Sequence, residues 1–131
     1  MNASLRSLST LTSLLIALAA QLWTAPAAAA FPDKPLKLVV PFPAGGASDT
    51  AARALAQVLA KSLGQVIIIE NRPGASGSIA AQSVLTAPAD GYTLLWASAS
   101  MVAIPHLQKA APFRAFAEFA PVSMVGRLTY C

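Results

Sequence analysis

The chain has 131 residues, 56% of them hydrophobic, with nine Lys and Arg against five Asp and Glu and a net charge of +4. The basic residues beyond the first 30 (Lys34, Lys37, Arg53, Lys61, Arg72, Lys109, Arg114 and Arg127) are scattered and never interleave with clustered aromatics, which argues against a nucleic-acid-binding surface. A single cysteine, Cys131, excludes an internal disulfide, and a single histidine, His106, excludes a paired-histidine metal motif.

In chain order, residues 1–30 read as an export signal. Arg6 is the only charge, Leu11 to Ala20 ("LTSLLIALAA") is a short apolar core, and the run ending at Ala30 offers Ala28-x-Ala30 for cleavage. That core is too short for a permanent membrane anchor, and no cysteine follows it to accept a lipid. Residues 31–131 are then expected to be a soluble exported domain, or part of a larger one. The chain stops on "GRLTYC", inside an apolar stretch, so an interrupted chain is expected.

Leu36 to Phe42 ("LKLVVPF") predicts a strand ended by Pro43 and the pair Gly45-Gly46. A helix is expected from about Ser48 to Leu63. Its apolar face would be Ala51, Leu55, Val58, Leu59 and Leu63, and its polar stripe Arg53, Gln57 and Lys61. Ser48 would cap it, Asp49 would face the positive end of its dipole, and Gly64 would close it. Val66 to Glu70 ("VIIIE"), β-branched without alternation, predicts a parallel strand covered on both faces. "NRPGASG" is a second glycine turn, Ser76 to Ala87 a second helix, and Tyr92 to Ala97 a third strand after the "PADG" turn. This order implies right-handed crossovers and an open parallel α/β sheet. Beyond it, a short helix over Met101 to Gln108, perturbed by Pro105, and a fourth strand from Val122 are expected.

In such a sheet, ligands bind beyond the carboxyl ends of the strands. Phe42 to Asp49, Asn71 to Ser78 and Ser98 to Met101 converge there by topology. The first two offer small residues, free amides and helix starts, which suit a carboxylate or phosphate. "PAGGASD" lacks the lysine of a P-loop, and its glycines do not fit G-x-G-x-x-G. No nucleophile elbow or cysteine cluster is visible, and Asp49, Glu70, Asp90 and Glu118 stand in separate contexts, so paired acid and base catalysis finds no support. His106 reads as a surface or packing residue, and Tyr92 and Trp96, at strand spacing, as core. Two further readings are an α/β enzyme binding a phosphorylated substrate through the glycine loop, and an incompletely folding, non-binding fragment with open sheet edges.

From Phe31 to Ser98 the motifs "FPDKP", "VPFPAGGASD", "LGQVIIIENRPGASG" and "APADGYTLL", in that order, with "FAPVS" at Phe119 to Ser123, make a joint pattern. It resembles the start of the mature tripartite tricarboxylate transporter substrate-binding proteins, the Bug family. The resemblance implies a periplasmic-binding-protein-like (type II) α/β lobe, a mostly parallel sheet with flanking helices, truncated after part of the first of two lobes. It implies no enzymatic step and no cofactor. The implied ligand is a small organic acid held at the strand ends, and the implied partners are the membrane components of such a transporter or a sensor. By matching motif, Phe42, Ala44, Gly45, Gly46, Ser48 and Asp49 form the first binding loop, and Ser98 and Ser100 are small hydroxylic positions after the third strand. Asn71, Gly74 and Gly77 belong to a possible second loop. Met101 and Ile104 stand where the family pattern has histidine and asparagine, so polar contacts are not expected from them, and "FRAFAEF" departs from the family's connecting segment.

Overall fold

The computed structural model describes residues 30–107, 113 and 116–126. The chain divides into two units, Met1–Ala30 and Phe31–Cys131, and the architecture below is that of the second. Three strands, β1 (Leu36–Val40), β2 (Ile67–Asn71) and β3 (Thr93–Leu95), form a parallel sheet in the order β2-β1-β3. In register, Leu38 of β1 stands opposite Ile69 of β2 and Leu94 of β3. Helix α1 (Ala47–Leu63) links β1 to β2, and α2 (Ser78–Leu85), entered through a 3-10 turn at Ala75–Gly77, links β2 to β3. Two four-residue helices, α3 (Ala99–Val102) and α4 (Ile104–Leu107), follow. The α/β class and parallel sheet expected from the strand and helix order are observed.

The period of two along a strand sorts the core into two layers. Leu36, Leu38 and Val40 pack with Ala52, Ala56 and Ile67 on the α1 side, joined by the half-buried Tyr92, Leu94 and Trp96. Leu95, next to Leu94, turns to the opposite face and packs with Ala81 of α2, Met101, Ile104 and Phe113. Central strand β1 is therefore covered on both sides, and Val39 and Val40 are 1% and 0% exposed. Burying side chains of this size contributes about 1.5–3 kcal/mol each.

Several expectations are corrected. Helix α1 turns its small residues to the sheet: Ala52 and Ala56 are buried, whereas Ala51 is exposed and Val58 is 63% exposed. Alanines at this contact let the helix approach the strands closely, which larger side chains at those positions would prevent. Strand β2 is not covered on both faces; it pairs only with β1 among the described residues, and Ile68 and Val66 are exposed. The single helix expected over Met101 to Gln108 is two short ones broken at Ala103, with Pro105 in the first turn of α4, where its missing N–H leaves no helix bond unmade. Gln108 lies outside the described residues. No strand starts at Val122: residues 121–126 are irregular, and Val122 and Met124 are 82% and 71% exposed.

Two of the sequence motifs meet at the amino ends of β1 and β3, away from the carboxyl edge of the sheet. Phe31 and Tyr92 stack with ring centroids 4.9 Å apart. The Tyr92 hydroxyl accepts the Asp33 N–H at 2.9 Å and donates to the Asp33 carboxylate. Lys34 pairs with Asp90 at 3.1 Å and lies 4.2 Å from the centroid of the Tyr92 ring. "FPDKP" and "ADGYT" are thus partners in closing this end of the sheet. Among the described residues no helix is long and apolar enough to cross a membrane.

Candidate functional site

At the carboxyl edge, β1, β2 and β3 end at Val40, Asn71 and Leu95 and release three loops side by side. Further backbone bonds tie these loops to the sheet: Arg72 N–H donates to Val40 C=O at 2.8 Å and Trp96 N–H to Val39 C=O at 2.8 Å. The expected convergence of the three segments is observed.

The first loop bulges into solvent from Pro43 to Ala47, while Phe42 is half-buried against the α1-side core. Gly45 has φ +82°, a conformation L side chains seldom adopt. The residue flanking α1 is Gly46, not Ser48, and no side chain caps the helix there. Ser48, half-buried, lies inside the first turn; Asp49, one residue on, reaches back instead to accept the Gly45 N–H at 2.9 Å. A carboxylate in the third helical position can make this bond because its side chain points toward the helix start. Gly64, at φ +67°, closes the far end as expected, donating its N–H to Ala60 C=O. The first-turn amides of α1 have no acceptor within the helix and point into the loop, beside the positive end of its dipole.

Asp49 is 2% exposed, and both of its oxygens are engaged. Oδ2 accepts Gly45 N–H and Arg53 Nε, the latter at 2.8 Å, and Oδ1 accepts Asn71 Nδ2 at 2.9 Å. The Arg53 guanidinium, then the Gly45 amide and Asn71, hold its carboxyl well below the usual carboxylate range. Asn71 also donates to Phe42 C=O at 3.0 Å and accepts from Arg53 Nη2 at 3.3 Å. The end of β2 is thereby stitched to both ends of the first loop. Next to Asn71, Glu70 accepts from Lys37 at 2.8 Å and from Arg72, which lowers its own pKa.

The second loop makes its turn through positive φ at Gly74, Ala75, Ser76 and Gly77. Gly77 is buried, and a Cβ there would lie 3.0 Å from Met101 Cγ. Met101, fully buried, therefore joins the second loop to the third segment, and it and Ile104 are core residues beneath the loops. Ser98 is half-buried and its C=O accepts the Met101 N–H at 3.0 Å; Ser100 belongs to α3. His106 is exposed. Among the described residues no three His, Cys, Asp or Glu side chains gather as a metal site. A separate open depression of about 290 Å³ lies between α1 and β2, lined by residues from Arg53 to Ile69 that include none of the loop amides.

The arrangement presents backbone amides and small side chains at the strand ends, braced by the ion pair of the buried Asp49 with the half-exposed Arg53. Arg53, expected from the sequence only as part of a polar stripe, belongs to this brace. The Asp49–Arg53 spacing of four on a helix was the available signal.

Residues 51–130 match the family model described as the tripartite tricarboxylate transporter family receptor. Over 98 residues the chain is 42% identical to the protein BugT of Bordetella pertussis, an alignment that covers 73% of this chain and 30% of BugT. It is 43% identical over 96 residues to a UPF0065 protein of Bordetella bronchiseptica, covering 72% of this chain and 29% of that one. A solved structure of a periplasmic transporter superposes with a TM-score of 0.60 at 38% identity, over 64% of this chain and 29% of that chain. The alignments thus span about 30% of the length of the relatives.

Proposed function

The chain belongs to the tripartite tricarboxylate transporter receptor family, and we propose that it provides one wall of the ligand cleft of a periplasmic solute-binding protein, signal-directed through residues 1–30. The ligand is a small organic acid, and its carboxylate is taken by the amides of Ala44, Gly46 and Ser48 with the hydroxyl-bearing positions Ser98 and Ser100. Phe42, Gly45 and Asp49 shape that loop, and Asn71, Gly74 and Gly77 support it from the second. A second lobe closes over the ligand, and the loaded protein delivers it to the membrane components of the transporter, or to a sensor.

The observation that carries this reading is the first loop: small, exposed, glycine-bent, and opening onto the amino end of a 17-residue helix at the carboxyl edge of a parallel sheet. Free amides at a helix start, together with the helix dipole, replace the water around an anion with no proton transfer required. Membership of a tricarboxylate transporter receptor family favours a carboxylate as that anion. No chemical conversion is involved; the work is done by binding and hinge closure. Support for this class over a phosphate-binding enzyme comes from the absence of a P-loop lysine in "PAGGASD".

A thermal-shift series on the full gene product tests it, with citrate, malate, adipate and glutamate against inorganic phosphate. Stabilisation by a carboxylate and none by phosphate is expected; at a hundredfold excess over Kd the stabilisation is about 2.7 kcal/mol. Turnover of a carboxylate, or stabilisation by phosphate alone, would replace this reading with an enzyme.

A further inference from the structure

We infer that Arg53 is a positioning residue for the carboxylate site: acting through Asp49 and Asn71, it holds the loop from Phe42 to Gly46 in the shape that presents its amides, without touching the ligand. The inference rests on the reading of that loop as the carboxylate site.

Three side chains from two elements close a ring. Arg53 Nε donates to Asp49 Oδ2 at 2.8 Å, Asn71 Nδ2 donates to Asp49 Oδ1 at 2.9 Å, and Arg53 Nη2 donates to Asn71 Oδ1 at 3.3 Å. Two bonds leave the ring, and both end on the backbone of the first loop: Asp49 takes the Gly45 N–H and Asn71 gives to the Phe42 C=O. The loop is therefore gripped at its strand end and at its glycine bend by one cluster, whose only cation is Arg53. The planar fork of a guanidinium spans Asp49 and Asn71 together, which the single point of a lysine ammonium does not do as well.

Without Arg53, the buried Asp49 carboxylate would lose its counter-charge and be left to the Gly45 amide and Asn71 alone, and Asn71 Oδ1 would lose its guanidinium donor. The loop would then sample shapes in which the Gly45 bend is released, and the ligand would have to reorder it on binding. The charge of Arg53 is already committed beside a buried carboxylate, so its contribution to anion binding is the arrangement of the amides.

The test compares full-length wild type, Arg53→Met and Arg53→Lys. Met keeps the aliphatic stem, and Arg53 is half-exposed, with 50% of its side chain accessible, so a folded variant is expected; far-UV circular dichroism checks this. The first readout is the Gly45 amide in ligand-free protein, by ¹H–¹⁵N NMR and hydrogen exchange. A bond to a carboxylate moves that proton downfield, and a role limited to global stability would leave its shift unchanged. Arg53→Met is expected to move the Gly45 resonance and speed its exchange about tenfold, with Arg53→Lys intermediate. The second readout is affinity for whichever carboxylate stabilises wild type most, expected to fall about tenfold in Arg53→Met and to recover in part in Arg53→Lys. An unchanged Gly45 amide in ligand-free Arg53→Met overturns the inference, and with lost affinity it would make Arg53 a direct ligand contact. A shifted Gly45 amide with unchanged affinity also overturns it. If no carboxylate binds wild type, the proposed function fails, while the ligand-free amide readout still reports on the ring. Should Arg53→Met not fold, Arg53→Lys carries both readouts.

Discussion

Asp49 is drawn into the fold by its neighbours more than by its position at a helix start. Its two oxygens satisfy one amide, one guanidinium and one carboxamide, and no buried side-chain polar atom among the described residues lacks a partner. A carboxyl stabilised in its charged form binds its proton more weakly folded than unfolded. Its contribution to stability is therefore present above the unfolded value near 3.9 and is lost as pH falls from there toward the folded value. The melting temperature of wild type is expected to fall between about pH 5 and pH 3. Asp49→Asn should start lower and lose less over the same range, because the remaining slope would come from groups such as Glu70 and Asp90, whose pKa values are also lowered. Parallel melting curves of equal slope for the two proteins would show that Asp49 is not held charged by its partners. The sequence showed an acidic residue near a helix start, which is a local pattern. It did not show Asn71 coming 22 residues later to the same oxygen pair, since that depends on the strand order.

The elements repeat this division between local and long-range information. Strand β1, helix α1, strand β2 and the parallel order were legible because apolar runs, glycine stops and helix periodicity are local signals. The face of α1 was only partly legible for a physical reason: Leu59 does pack against the core as expected, but hydropathy also favours Val58 and Leu63, which are exposed, while close packing on the sheet selects Ala52 and Ala56. Strand β2 reads as fully buried from its isoleucines, but only the sheet order reveals that it stands beside β1 alone among the described residues. Met101 looked like a lost polar contact and is instead packing against Gly77. That contact makes a prediction at this scale. Gly64→Ala, with φ +67° and open space around the new Cβ, should lose about 1–2 kcal/mol from backbone conformation alone. Gly77→Ala, at φ +101° and facing Met101 at 3.0 Å, should lose more, and pairing it with Met101→Ala should not recover the backbone part. Denaturant melts measure both; equal losses for the two glycines would mean that the Met101 contact relaxes freely.

For the molecule as a whole, the two ends of the sheet have separate tasks. The amino edge is closed by the Phe31, Asp33, Lys34, Asp90 and Tyr92 cluster, which consumes two of the sequence motifs in structure. The carboxyl edge gathers the glycine loops and the amino end of α1, with the Arg53, Asp49 and Asn71 ring beneath them. The location of this edge followed from strand and helix order, whereas the ring beneath it required the fold. The most direct test of the carboxylate site is a ¹H–¹⁵N NMR titration of the full gene product with the carboxylate that stabilises it most. The largest shifts are expected at the amides of Ala44, Gly46, Ser48, Ser98 and Ser100, with Tyr92 and its neighbours at the opposite edge unmoved. Binding that shifted the amides around Tyr92, or those of the depression between α1 and β2, and left the first loop unchanged would contradict the account.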